Sequence, residues 1–255
     1  FGDGERLMLV RDITQLHKLE MMRKDFVGNV SHELRTPITV ITGYLETMQD
    51  DKQNLPARWT RPIEQMAQQS QRMENIIRDL LTLSRLETRS LPKEQTDIQV
   101  AGLLREIQHD AEQVFSNKNH QFLLECPDDI YVHGIYSELY SALSNLILNA
   151  AKYTPDNGQI TLSVTITANG LRVGVKDNGP GIASQHIPRL TERFYRVDES
   201  RSTDTGGTGL GLAIVKHVLA RHGGKLEIRS ELGNGSEFVC HLPTDRIKPA
   251  PIKQA

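Results

Sequence analysis

The chain has 255 residues, 38% of them hydrophobic and 24% charged, an ordinary globular composition with length enough for two domains. With 30 basic and 32 acidic residues the formal charge is −2, which excludes the broad basic footprint of a nucleic-acid-binding domain. No apolar run approaches the roughly 20 residues that cross a bilayer, and no signal peptide is recognisable. Cys126 and Cys240 stand far apart without metal-ligand spacing, so they read as small apolar residues in a reducing compartment. The opening Phe1-Gly2-Asp3 lacks an initiator methionine and reads as the start of a fragment, with any membrane anchor expected upstream.

Residues 6–14 read as a short strand followed by a helix start. Over residues 16–48, Leu16, Leu19, Phe26, Val30, Leu34, Ile38, Ile41, Leu45 and Met48 recur at helical spacing, and Pro37 is expected to bend that helix. A polar turn over residues 50–56 leads to a second helix. There Ile63, Met66, Ser70, Met73, Ile77, Leu80 and Ser84 alternate steps of three and four, a heptad seam. Two long helices with one apolar stripe each cannot bury their surface alone. The expectation is a homodimer in which two hairpins pair as a four-helix bundle. The alternative is a hairpin packed on the second domain of its own chain.

Around Ser90-Leu91-Pro92-Lys93 the pattern changes, and helices begin to alternate with strands. Asp97 is expected to cap a helix whose apolar face is Val100, Leu103, Leu104, Ile107, Ala111 and Val114. Strands are predicted over 121–125 and 131–133, then a helix over 136–152 and a hairpin of 159–167 with 171–177, turning at Asn169-Gly170. A helix over 209–222 and strands 225–230 and 237–242, joined by Gly233-Asn234-Gly235, complete the pattern. The fold class is α+β in two domains: a helical hairpin, then a two-layer α/β sandwich with a mixed sheet. The division reads as 1–15 end of an upstream domain and linker, 16–90 hairpin, 91–245 sandwich and 246–255 disordered tail.

Four blocks carry candidate chemistry. The first is Ser31-His32-Glu33-Leu34-Arg35-Thr36-Pro37. A histidine on a long helix just before a proline bend is expected to face solvent. A carboxylate at Glu33 that takes the Nδ1 proton's hydrogen bond leaves Nε2 a neutral nucleophile near histidine's own pKa. Thr36, one turn on, can orient a water. A solvated ion pair is the plain reading of a His–Glu neighbour pair alone. The second block, from Asn145 to Lys152, sets Asn145 and Asn149 one turn apart on one helix face. Two neutral oxygens there suit Mg²⁺, and Lys152 adds positive charge; ordinary helix surface is the plain alternative.

The third block is Asp177-Asn178-Gly179-Pro180-Gly181-Ile182, where a strand-ending aspartate can accept a hydrogen bond from an exocyclic amine such as that of adenine. A plain turn would satisfy the same residues. The fourth, Gly206-Gly207-Thr208-Gly209-Leu210-Gly211-Leu212, opens a helix and offers free N–H groups to phosphate. No strand directly precedes it, so it does not fit a dinucleotide fold, and no Walker motif occurs in the chain. The irregular run 183–205 exceeds the usual loop length and points to a functional cover over a ligand.

In this order the blocks resemble the sensor histidine kinases of two-component systems, and the resemblance runs from about Leu16 to Leu242. The second domain resembles the nucleotide fold shared with DNA gyrase, Hsp90 and MutL-type ATPases. The resemblance implies ATP-dependent phosphorylation of His32, with Glu33 as general base and Thr36 assisting dephosphorylation of the partner. It implies ATP and Mg²⁺ as cofactors, with Asn149 as metal ligand and Asn145, Lys152 and Tyr153 near the phosphates. Asp177 would read adenine, and Gly179, Gly181 and Ile182 would shape its pocket. Glu192-Arg193-Phe194-Tyr195-Arg196 matches the family's phenylalanine-centred block, which places Phe194 and Arg196 at the nucleotide. Gly207, Thr208, Gly209, Leu210, Gly211 and Leu212 match its lid, and Gly233-Asn234-Gly235-Ser236 its final glycine turn.

The runs F-V-G-N-V-S-H-E-L-R-T-P-I-T and E-R-F-Y-R-V-D resemble the phosphate-regulon branch of that family. That branch implies a sensor anchored in the bacterial inner membrane with this part on the cytoplasmic side. It also implies a receiver-domain partner in a PhoB-like response regulator, toward which the chain would be both kinase and phosphatase. The stretch from Leu7 to Thr14 resembles the end of a PAS sensor domain. Two other classes remain: an ATP-hydrolysing clamp or chaperone of the same nucleotide fold, and a nucleotide-gated dimeric adaptor. The first predicts ATP turnover without phosphoprotein, the second binding without transfer.

Overall fold

The computed structural model describes residues 34–35, 37–51, 56–87, 94–197 and 207–248. Residues 37–50 are helical (α1) and run beside α2, Ala57–Leu86. Ile38 of α1 forms an apolar cluster with Ile77 and Leu81 of α2. A polar rung lies on the same seam: the buried Ser70 hydroxyl donates to Thr42 Oγ1 at 2.6 Å, and Thr42 passes its own proton to Glu74 at 3.2 Å. Burial takes only part of the heptad seam. Ile63, Ser70 and Ile77 are buried, whereas Met66 and Met73 are 47% and 41% exposed, as are Val40, Ile41, Tyr44 and Met48 along α1. The last turns of α2 go elsewhere: Leu83 and Leu86 join the core of the α/β domain.

That domain has two sheets and one helical layer. The larger sheet has the order β2-β4-β5-β7-β6, with β2 (Gln121–Glu125) parallel to β4 (Gln159–Thr167) and every other pair antiparallel. The others are β5 (Gly170–Asp177), β6 (Lys225–Ser230) and β7 (Ser236–Leu242). Helices α3 (Val100–Val114), α4 (Tyr136–Tyr153) and α5 (Gly211–Arg221) supply the opposing layer. Leu104, Ile107, Leu146, Ile147, Ile160, Leu162, Ile214 and Leu219 are fully buried in the core they share with the sheet. Strand periodicity sets the direction of the key acid. Leu171, Val173 and Val175 are buried at every second position of β5, and the same period turns Asp177 inward at the strand's end.

Lys118 closes the far end of α4. Its Nζ donates to the carbonyls of Ala151, Lys152 and Thr154 at 3.2, 2.6 and 3.0 Å, a cation on the negative end of the helix.

Several expectations need correction. Asp97 does not cap a helix. Thr96–Gln99 is a strand, β1, paired antiparallel with β3 (Tyr131–Gly134), and Asp97 faces His133 Nδ1 at 2.7 Å across that pair. Helix α3 instead starts after Gln99 with no side-chain cap, and Val114 at its last position is 66% exposed rather than on the apolar face. The hairpin loop is Ala168-Asn169, because Gly170 already pairs with Thr167. Helix α5 begins at Gly211 rather than 209, because Gly209 has a φ of 73° that no right-handed helix accepts. The tail is ordered through Lys248: Ile247–Lys248 forms β8 on β3, and Arg246 donates to Gln95 Oε1 at 2.7 Å.

Candidate functional site

Asp177 lies between sheet and helices with 7% of its surface exposed. Its Oδ1 accepts the Gly179 N–H at 2.9 Å, and the Ser236 N–H also donates to the carboxylate. Burial raises its pKa above the ordinary carboxylate value, and these two N–H groups oppose that rise. The following turn is shaped by the loop between β6 and β7. Gly181 has a φ of 69°, and a Cβ there would sit 1.9 Å from the Glu231 carbonyl oxygen, so only glycine fits. Gly233 N–H donates to Pro180 O at 2.7 Å, and Ile182 N–H donates to Ser230 Oγ at 2.8 Å.

The opposite end of the site is cationic. Lys152 ends α4, and burial, with the charges of Arg196, Arg72 and Lys118 behind it, lowers its pKa to about 8. Its Nζ lies 2.7 Å from where a Cβ on Gly207 would stand. Arg196 Nη1 donates to Gly207 O at 2.8 Å, so both cations border the glycine loop that leads into α5. Phe194 and Gly209 clasp each other through the Phe194 N–H, which donates to Gly209 O at 2.8 Å, and Phe194 itself takes a left-handed φ of 63°. Thr208 accepts the Leu210 N–H at 3.2 Å and donates to Asp79 of α2 at 2.7 Å. Asp79 is raised above the ordinary carboxylate range by burial, against the Thr208 bond and Arg78.

Lys152 and Tyr153 are neighbours at the end of α4 and join the two ends. Tyr153 O stands 3.2 Å from the Cβ position of Gly179, while Lys152 borders Gly207. One turn upstream, Asn149 is half-buried, and beyond it the Asn145 amide donates to Ser141 O at 2.8 Å. The Asn145 Oδ1 stands 2.3 Å from the Cβ position of Gly211, so the start of α5 abuts α4 there. Among the described residues no cluster of three or more His, Cys, Asp or Glu side chains could hold a metal. A cation at this place would use the neutral amide oxygen of Asn149, water and a ligand's phosphates, a donor set that fits Mg²⁺.

Asp177, Gly179, Gly181 and Ile182 thus gather at one end, and Lys152, Phe194, Arg196, Gly207, Thr208 and Gly209 at the other. Leu210 is fully buried and Leu212 half-buried, so both anchor the start of α5 rather than line it polar side out. His32, Glu33, Thr36 and Gly206 lie outside the described residues, as do residues 6–14. Sequence reasoning missed Ser230, Arg72 and Asp79, and took Ser236 only as part of a turn. Arg72 and Asp79 are seven residues apart on α2, which puts them on one helix face, a spacing that could have flagged them.

A three-helix layer on a mixed sheet, with a buried acid at one end and a cation-bordered glycine loop at the other, defines a nucleotide-binding domain of the gyrase and Hsp90 type. The family model described as "Histidine kinase-, DNA gyrase B-, and HSP90-like ATPase" matches residues 134–246, and the "His Kinase A (phospho-acceptor) domain" matches residues 22–89. The chain belongs to the sensor histidine kinase family. It is 50% identical over 253 residues to the phosphate regulon sensor protein PhoR of Pseudomonas aeruginosa, covering 99% of this chain and 57% of that relative. The namesake from Haemophilus influenzae is 41% identical over 237 residues, 93% of this chain and 55% of its own length. The chain therefore spans little more than half of these curated relatives. A full-length ShkA structure in complex with AMPPNP superposes with a TM-score of 0.71 at 26% identity, over 91% of this chain and 48% of that one. No helix among the described residues is long and apolar enough to cross a membrane.

Proposed function

We propose that this chain is the catalytic core of a sensor kinase that phosphorylates its own His32 from ATP and passes the phosphoryl group to an aspartate of a response regulator. The observation that carries the reading is the two-ended site on α4: Asp177 held by two N–H groups for a base amine, and Lys152 with Arg196 at the glycine loop for phosphates. In the reaction His32 Nε2 attacks the γ-phosphorus, the bond to the β-phosphate oxygen breaks, and ADP leaves. Glu33 holds the Nδ1 proton so that Nε2 keeps its lone pair, and Thr36 orients water when the partner's phosphoaspartate is hydrolysed. Mg²⁺ on Asn149 would supply charge neutralisation at the phosphates. Positioning and fixed charge do the rest.

The domain division that goes with this reading is 1–15 as the end of a sensor domain, 16–90 as the dimerising phosphotransfer hairpin, 91–245 as the ATP domain and 246–255 as the tail. The exposed stripe of Val40, Ile41, Tyr44, Met48, Met66 and Met73 supports a homodimer built on the hairpin. Likeness to the phosphate regulon sensors supports a PhoB-like regulator as partner and a membrane anchor elsewhere in the protein.

The test incubates the protein with magnesium and γ-labelled ATP beside His32→Ala. Acid-labile, alkali-stable label that disappears in His32→Ala is the expected result. ATP consumption without label would establish a clamp-type ATPase instead, and nucleotide binding with neither label nor turnover an adaptor.

A further inference from the structure

Ser230 belongs to none of the four sequence blocks, yet three polar groups converge on its hydroxyl. Its Oγ lies 2.8 Å from Ile182 N, 2.9 Å from Gly235 O and 2.9 Å from Ser236 Oγ. The residue ends β6 directly opposite Ser236 of β7, which in turn stands opposite Asp177 of β5. Directly opposed residues in antiparallel strands project to one face, so the two serines and the buried Asp177 form one polar row.

The direction of each proton in that row follows from valence. A hydroxyl has one proton and two acceptor lone pairs. Ser230 donates its proton to Gly235 O, so its lone pairs must receive both the Ile182 N–H and the Ser236 O–H. The Ser236 hydroxyl proton is thereby aimed at β6, while the Ser236 N–H alone goes to the Asp177 carboxylate. Gly179 N–H supplies the second bond, and the remaining carboxylate lone pairs stay open toward the site.

We propose that Ser230 is a positioning residue for base recognition: by receiving the Ser236 proton and the Ile182 N–H, it keeps the Asp177 carboxylate open to an exocyclic amine. The assignment rests on the adenine reading of Asp177 given above. In Ser230→Ala the Ser236 proton loses its acceptor on β6 and turns to the adjacent carboxylate, where it competes with the amine. The Ile182 N–H, beside the Gly181 turn, is left without a partner.

The experiment measures ATP and GTP affinity by calorimetric titration of the full chain. The variants are Ser230→Ala, Ser230→Thr, the double Ser230→Ala/Ser236→Ala, and Asp177→Asn as control. Ser230→Ala is expected to weaken ATP about tenfold and GTP, which carries a carbonyl in place of the amine, less than about twofold. Ser230→Thr keeps the hydroxyl and the wild-type ratio. The double variant has no competing proton and regains most of the lost ATP affinity, which a purely structural role would not allow. In the phosphorylation assay the ATP KM rises while the rate at saturation holds. The ratio of the two affinities is insensitive to a misfolded fraction, so a lower melting temperature would not blur it.

Equal losses for ATP and GTP, no loss at all, or no recovery in the double variant would each overturn the assignment. An Asp177→Asn protein that binds ATP like wild type would overturn the adenine reading itself, whatever Ser230 does.

Discussion

At Lys152, burial and the nearby guanidiniums of Arg196 and Arg72 bring the ammonium down to about 8, so its charge is labile near neutral pH. A phosphate beside it favours the charged form and raises that pKa in the complex. The sign follows: binding takes up a proton between the free and bound values, so affinity is level below about pH 8 and falls as pH rises through it. Calorimetry of ATP binding at pH 8.5 in buffers of different ionisation enthalpy should detect that proton uptake, and Lys152→Met should abolish it. No uptake in the wild-type protein would show that Lys152 does not face the phosphates. Ser230, by contrast, is not legible in the sequence. A serine at a strand end breaks no period and matches no spacing, and its importance comes only from cross-strand register.

Elements explain what the sequence did reveal. Asp177 was legible because it ends a predicted strand and opens the Asp-Asn-Gly-Pro-Gly block, and in β5 it follows Leu171, Val173 and Val175 inward at every second position. Strand β1 was not, since Thr96-Asp97-Ile98-Gln99 has one apolar residue and reads as a polar approach to a helix. Strand β8 has two residues and exists only because β3 offers it an edge. Asp79 lies outside the heptad seam of α2 and drew no reading, yet the helix carries it to Thr208 at the glycine loop. That carboxylate repels an incoming phosphate. Asp79→Ala is therefore expected to raise ATP affinity by about two- to fivefold, the scale of a partly solvated charge interaction. A titration in which Asp79→Ala binds ATP more weakly than wild type would mean instead that Asp79 orders the loop for its ligand.

At the scale of the molecule, the hairpin presents apolar side chains that its own chain leaves exposed, Ile41 at 46% and Met73 at 41% among them. In the homodimer proposed above, a second hairpin would cover this stripe. Ile41→Glu with Met73→Glu should convert the protein to monomer by light scattering, because each sets a charge in the exposed apolar stripe. A dimer that survives both charges would place the subunit contact elsewhere. The last turns of α2 behave differently from the rest of that helix. Leu83 and Leu86 share the core of the sandwich, Arg221 donates to Leu86 O at 3.4 Å, and Glu87 pairs with Arg193. On heating, α2 would thus come apart within its own length: its C-terminal turns melt together with the sheet, and its N-terminal turns with α1 and the subunit contact. One continuous helix thus belongs to the hairpin at one end and to the sandwich at the other, and through Asp79 it touches the glycine loop at Thr208.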